Sequence, residues 1–536
     1  MAVTTTYSIN FVKYLPLELG TSAAPEVISL ANGGFAFAGE HNAGGWHVDG
    51  ELFNSAGQHG NDWTSTSDSF NPSLAQLSNG NIVQFSEDGA GGIFFEIRSA
   101  SGALVKAATD SGLTDTYAPD VAAVGSGFWT ASETYIAGSN YDIYIDRWSS
   151  NGTYLGFKAV DTSSARDTGA SIAALSNGNV AVTWTRTFSD GDTGIGCAIY
   201  DSAGNVVKAS FALDDIGAVN ENVSICALVG GGFAVAYEDS GWATGTIDIT
   251  VGIYSNTGAL VREENISSPS GNDDGSDDAN PYITQLANGQ LVVAYSDNFY
   301  TDTDTLVVLL NQNLDVLAET SVSTLDIKND AETPTIAGYG SGLLAVFESS
   351  DNENAGEALQ VQRRSIGDSA NNVITGDFLS DFMNGAAGND RLSGGAGADD
   401  LRGAAGADVV NGGNGADKLN GGLGHDTLTG GGGGDKFIFN SAVGNSHSDV
   451  ITDFTHGSDK IQLDNSVFTA LGAAGTLAAG AFRVGANAGD TNDRMIYNSA
   501  TGDLFYDADG TGGGAKILIA TLDAGLGVTH ADFAVI

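Results

Sequence analysis

Aspartate returns at every ninth residue over one stretch of the chain, at Asp381, Asp390, Asp399, Asp408, Asp417, Asp426 and Asp435, and much of what lies between is glycine. A carboxylate on so short a side chain is a hard-oxygen ligand. Glycine lets the backbone take the positive φ of a tight turn, so that carbonyl oxygens can converge beside it. Carboxylates and carbonyls together are the donors of a site for a hard divalent cation. Calcium, with six to eight oxygens in flexible geometry, suits such loops better than magnesium with its strict octahedron. The whole chain points the same way: 20 basic against 66 acidic residues give a formal charge of −46. That balance argues against nucleic acid and against anionic membrane surfaces, both of which need cationic neutralisation.

In register the units are "NGAAGNDRL", "SGGAGADDL", "RGAAGADVV", "NGGNGADKL", "NGGLGHDTL" and "TGGGGGDKF", preceded by the degenerate "TGDFLSDFM". Their form, x-G-G-x-G-x-D-x-U with U apolar, resembles the calcium-binding nonapeptide repeat of RTX proteins. The resemblance implies a parallel β-roll in which each unit makes half a coil. Turns on one side then come from units n and n+2. This pairs Asp381 with Asp399, Asp390 with Asp408, Asp399 with Asp417, Asp408 with Asp426, and Asp417 with Asp435. Backbone carbonyls of Gly385, Gly394, Gly403, Gly412, Gly421 and Gly430 are expected as co-ligands. Leu392, Leu401, Val410, Leu419, Leu428 and Phe437 are expected to point inward as the apolar seam. Without ions, that small seam cannot offset mutual repulsion and chain entropy, so ordering should await calcium.

Beyond the repeats, "SDVITDFTHGSDKIQLD" (448–464), "GDLFYDADGTGGGAKILIATL" (502–522) and the ending Asp532-Phe533-Ala534-Val535-Ile536 resemble the C-terminal module of serralysin-type RTX proteins. That resemblance, over about residues 370–536, implies an uncleaved signal for type I secretion machinery and export from a Gram-negative bacterium. It also implies that Asp449, Asp453 and Asp459 add calcium ligands. The first twenty residues show no basic segment followed by an apolar stretch, which reads as the absence of a Sec signal. No run of 18 apolar residues appears, so no membrane insertion is expected. The serralysin zinc helix H-E-x-x-H is missing, so the resemblance does not extend to that protease.

The region before residue 367 has a different composition. The last glutamate is Glu357, and the formal charge divides as −33 before and −13 after a boundary at 367/368. A pattern of a small residue or proline, alternating apolar positions, a glycine turn and a β-rich run recurs seven times. Its copies begin "APEVISLANGG" (24–34), "NPSLAQLSNGN" (71–81), "APDVAAVGSG" (118–127), "GASIAALSNGN" (169–179), "NVSICALVGGG" (222–232), "NPYITQLANGQ" (280–290) and "TPTIAGYGSG" (333–342). Turns of this kind between alternating apolar runs signal hairpins. Most units add a second hairpin, as in "IYDSAGNVV" (199–207), giving four strands at a spacing of about 50 residues. The expectation is an all-β chain. Residues 1–366 form a seven-bladed β-propeller whose last blade is closed by an N-terminal strand. Residues 367–439 form the roll, and 440–536 a β-rich secretion and capping module.

No nucleophile elbow, phosphate loop or dinucleotide fingerprint is present. Cys197 and Cys226 lie in apolar strand contexts and read as free thiols. Asp190 with Asp192, and Asp302 with Asp304, sit in acid-rich loops that read as solvated. Trp46 and Trp242, flanked by glycine, are the candidate surface aromatics for ligand stacking. The leading reading is a secreted, calcium-dependent binding or adhesion protein whose propeller engages an extracellular glycan, matrix polymer or surface protein. A secreted polysaccharide hydrolase or lyase, and a self-assembling surface-layer component, are the alternatives.

Overall fold

A computed structural model describes residues 4–15, 25–42, 46–54, 58–65, 69–88, 92–137, 140–189, 191–213, 220–240, 246–267, 277–286, 289–299, 302–321, 334–339, 343–348, 355–376, 379–442, 444 and 447–536. The chain divides into two compact units, Ile9–Gln360 and Met1–Ser8 with Val361–Ile536. Nearly every element is a strand. Among the described residues no helix is long and apolar enough to cross a membrane.

In the first unit, six four-stranded antiparallel sheets follow one another over 26–64, 70–114, 116–159, 166–212, 220–265 and 277–321. The turns come out as their residues dictate. The Leu77 carbonyl accepts from Gly80 N at 2.8 Å, Gly80 takes φ +85°, and Asn79 Oδ1 accepts from Asn81 N at 3.0 Å. Asparagine thus ties the turn and glycine supplies its left-handed residue. In the sixth sheet's second hairpin the left-handed position falls to Leu314 (φ +63°), held by burial at 3 % exposure.

Seven separate blades were expected; six complete four-stranded sheets are present among the described residues. The seventh repeat supplies Thr335–Tyr339, Leu343–Glu348 and Ala355–Ile366, which pair antiparallel in turn. Ala355–Ile366 does not end there. From Gln362 it runs parallel to Ser380–Asn384, the first strand on that side of the roll, and Thr4–Leu15 also pairs with it. These strands therefore fall within a longer strand order and not in a separate four-stranded sheet.

A bulge is built into five of the innermost strands. The register of these strands slips by one residue, between Phe70 and Ser73, Tyr117 and Asp120, Thr168 and Ser171, Glu221 and Ser224, and Ala279 and Tyr282. The first residue of each bulge is left-handed: Asn71, Ala118, Gly169, Asn222 and Asn280, with φ between +45° and +61°. Proline follows in three of the five, because the second bulge residue is outside the ladder and needs no N–H. The amide of the left-handed residue turns to the preceding sheet, where a glutamate accepts it. Asn71 N donates to Glu40 Oε1 (2.7 Å), Ala118 N to Glu87 (2.5 Å), Gly169 N to Glu133 (2.6 Å) and Asn280 N to Glu238 (2.8 Å). In the fourth sheet Arg186 stands at this place and pairs instead with Asp167 and Asp161. Trp129 and Trp184, at 3 % and 0 % exposure, fill the sheet cores, and both cysteines are free.

The second unit is built on two parallel sheets, one through Val373–Thr375, Arg391–Ala396, Val409–Asn414 and Thr427–Gly432, the other through Ser380–Asn384, Asp400–Ala405, Lys418–Leu423 and Lys436–Phe439. Their inward residues register as Leu392 on Val410 on Leu428, and Leu401 on Leu419 on Phe437, all 0–1 % exposed. The same two sheets continue through Asp449–Ile451 and Lys460–Leu463 into Ile517–Thr521 and Phe533–Val535, and one apolar cluster runs from Ile374 to Val535. Asp532 is buried. It accepts from Thr529 N, His456 Nδ1 and Gly457 N, and these bonds outweigh desolvation to hold its carboxyl below the usual range.

Burial raises the pKa of Glu40, Glu133 and Glu238. A raised folded pKa contributes stability that is complete below the unfolded value of about 4.3 and is lost as pH rises through the folded value. Replacing all three by glutamine keeps the amide acceptor and removes the charge. We expect the triple variant to melt above wild type at pH 7.5 and to show no such advantage at pH 4; equal differences at both pH values in differential scanning calorimetry would exclude this.

Candidate metal centre

The roll turns are built on a carboxylate ladder. Asp408 Oδ1 accepts from Asp390 N (2.7 Å), and the pattern repeats from Asp381 N to Asp399, Asp399 N to Asp417, Asp408 N to Asp426 and Asp417 N to Asp435, at 2.7–3.0 Å. All five aspartate pairs expected from the half-coil period are therefore adjacent, linked backbone to carboxylate. The ladder extends past the regular repeats at both ends. Asn372 N donates to Asp390 Oδ1, while Asp426 N and Asp435 N donate to Asp449 and Asp459. Asp453 sits apart from it, accepting from Gly430 N and Gly431 N. Asn372 was not singled out in the sequence, although it stands nine residues before Asp381.

One oxygen of each rung is spent on this bond. The other, Oδ2, is buried in Asp390, Asp408, Asp417, Asp426 and Asp435 and meets no hydrogen-bond donor. A buried carboxylate oxygen without a donor costs several kcal/mol if charged, on the order of the desolvation of an ion. The space beside it is reserved. A Cβ on Gly403 would lie 2.4 Å from Asp408 Oδ2 and 2.7 Å from the Gly421 carbonyl; one on Gly412 would lie 2.3 Å from Asp417 Oδ2 and 2.6 Å from the Gly430 carbonyl. Gly385 and Gly394 face Asp390 and Asp399 in the same way, with the carbonyls of Gly403 and Gly412 beside them, and Gly421 and Gly430 face Asp426 and Asp435. Glycine is therefore required at this position twice over, for its missing side chain and for the neighbouring coil's carbonyl.

No three acidic, histidine or cysteine side chains converge among the described residues. The donor set is instead one carboxylate oxygen with main-chain carbonyls, a composition that fits calcium and suits neither zinc nor copper. The residues that would hold the ion are the ladder aspartates and the glycine carbonyls. With no cation beside them, the ladder carboxyls are held above the usual carboxylate range. Burial, followed by repulsion from neighbouring rungs, raises Asp408 and Asp417 to about 6, and Asp449 lies higher still, through burial and the charge of Asp426. Trp46 has only its backbone described, and Trp242 lies outside the described residues, as do Asp190 and the side chains of Asp302 and Asp304.

A family model of RTX calcium-binding nonapeptide repeats, four copies long, matches residues 366–401, 375–410 and 402–437. These repeats are calcium-binding, and the cofactor implied by the ladder is thereby established. No curated protein matches the chain. Among solved structures, an ulvan lyase of a polysaccharide lyase family is similar at 10 % identity, covering 65 % of this chain and 95 % of its own, with a TM-score of 0.47. The BP39L lectin from Burkholderia pseudomallei gives 12 %, 64 %, 96 % and 0.47. A protein of unknown function from Dyadobacter fermentans gives 14 %, 67 %, 99 % and 0.39.

Two outcomes are expected. Gly403→Ala should remove the calcium-induced protease resistance of its own coil and lower calcium stoichiometry, with the propeller's melting unchanged; full stoichiometry by isothermal titration would contradict the geometry. The ladder's raised pKa values mean that protonation substitutes for the ion. The ion-free roll should be best ordered near pH 4 and lose order as pH rises through about 6, where calcium takes over. Hydrogen exchange of residues 379–442 with EGTA at pH 4.5 and 7.5 checks the sign.

Proposed function

We propose that this chain is a secreted, calcium-dependent binding protein, in which residues 367–439 order on calcium after release by type I secretion machinery. The observation that carries this reading is the row of buried aspartate oxygens without donors. A ladder that is self-repelling without its ion stays open in a calcium-poor cytoplasm and closes in a calcium-rich exterior. At a hundredfold excess over Kd, each site adds about 2.7 kcal/mol to the folded form. Residues 440–536 then act as the cap that continues both roll sheets, with the terminal Asp532-Phe533-Ala534-Val535-Ile536 taken into the fold once export is complete. Residues 1–366 form the propeller and are the binding end, with an extracellular glycan, matrix polymer or surface protein as ligand. The propeller carries no recognised catalytic motif, which favours binding over hydrolysis or elimination.

Full-length protein should bind at least one member of a polysaccharide and matrix-polymer panel in calcium and release no new reducing or unsaturated ends. Product release would replace the binding reading with an enzymatic one. Identical hydrogen exchange of the roll in EGTA and in calcium would remove the ordering step.

A further inference from the structure

The innermost strands of the propeller unit surround a cavity of about 540 Å³, lined by residues from all six complete sheets and by Pro334 and Thr335 of the seventh repeat. Ring continuity at this point is direct, since the strand Thr335–Tyr339 contacts both Glu26–Ser29 and Asp277–Gln285, and Ser29 Oγ donates to the Gly338 carbonyl at 2.6 Å. The third residue of each repeat faces this space, just past the bulge. Four of these are Ser73, Ser171, Ser224 and Thr335; the other three are Glu26, Asp120 and Tyr282.

These three are not equivalent. Asp120 has used its carboxylate to hold the ring together: it accepts from Ser73 Oγ (3.1 Å), Ser171 Oγ (3.0 Å), Ile172 N (2.8 Å) and Val121 N (2.7 Å). It positions its neighbours. Glu26 is different, since its carboxylate has one partner among the described residues, the Tyr282 hydroxyl at 3.2 Å. Beside Tyr282, the Thr335 side chain is 2 % exposed and interacts with the Tyr282 hydroxyl. Among the described residues no lysine, arginine or histidine lines the cavity. Two carboxylates therefore face a roomy space with no cation of the protein's own among the described residues, and burial raises both, Glu26 also through the charge of Asp120.

We propose that this cavity is the propeller's ligand site and that it takes a cationic, hydroxyl-rich group, the ammonium-bearing sugar of a deacetylated amino-glycan. The ammonium meets Glu26, a sugar hydroxyl meets the Ser224 hydroxyl, and Tyr282 offers its ring as a flat apolar contact. Uronic-acid and sulfated glycans are disfavoured by the same carboxylates. The inference rests on the binding reading above and narrows it to one cavity and one ligand charge.

The test titrates full-length protein, in calcium and at a pH where the amine is protonated, with a glucosamine oligomer, its N-acetylated counterpart and an oligogalacturonate. We expect saturable binding of the glucosamine oligomer, with the other two weaker by about tenfold or more. Glu26→Gln and Tyr282→Phe, checked for unchanged melting, should each weaken it by a similar factor. Selectivity among the three oligomers needs no variant, so the proposal stays falsifiable should a variant fail to fold. Equal binding of the amine and the N-acetylated oligomer would overturn it. So would binding that salt abolishes and that both folded variants retain, which is the mark of a polycation on a chain of −46. If another polymer binds and Glu26→Gln leaves that binding intact, the channel proposal falls and the binding reading stands. If nothing on either panel binds, both fall.

Discussion

A carboxylate oxygen buried without a donor is the constraint from which the second unit takes its form. Each regular rung from Asp399 to Asp435 gives one oxygen to the amide of the aspartate eighteen residues earlier, Asp390 gives one to Asn372, and in Asp390, Asp408, Asp417, Asp426 and Asp435 the second is left buried without a donor. The placement of glycine follows from leaving space beside those oxygens, where a Cβ would collide with the carboxylate. The seam alone is thin, one apolar side chain per nine residues, so hydrophobic burial cannot be what decides whether the roll orders. The ion decides it.

The propeller unit solves the opposite problem with the same residue type. Its sheets have full apolar cores, and what must be specified is how each sheet meets the next. A left-handed residue at a strand bulge turns one amide outward, and a glutamate on the preceding sheet accepts it. Here the carboxylate finds a donor inside the protein and needs no ion. Acidic residues thus have two separate structural duties in one chain, and net charge alone does not distinguish them.

Much of the roll was legible because its period is in the sequence. Asp381 to Asp435 repeat at nine, and a repeat of nine with glycines at fixed places leaves one way to stack. Where insertions break the period, the ladder continues unseen. Asp449 and Asp459 follow their partners by 23 and 24 residues where the regular rungs use 18, and Asn372 has an amide in place of the carboxylate. In the propeller the seven repeats and their glycine turns could be read directly, but the third residue of each looked like ordinary variation: glutamate, serine, aspartate, serine, serine, tyrosine, threonine. Only closing the strands around one axis makes that column a single polar lining.

What the sequence determined alone is everything local and periodic: strand content, turn positions, the nonapeptide coil, the pairing of its aspartates and the identity of its ion. Tertiary structure decided what depends on residues far apart in the chain. Among the described residues it made six complete four-stranded sheets where seven repeats stand, and it brought Glu26 to Tyr282 across 256 positions. The reason is physical. Hydrogen-bonded turns and coil repeats are fixed by neighbours within about twenty residues. Which edge a strand joins, and which side chains share a cavity, is fixed by closure of the whole ring.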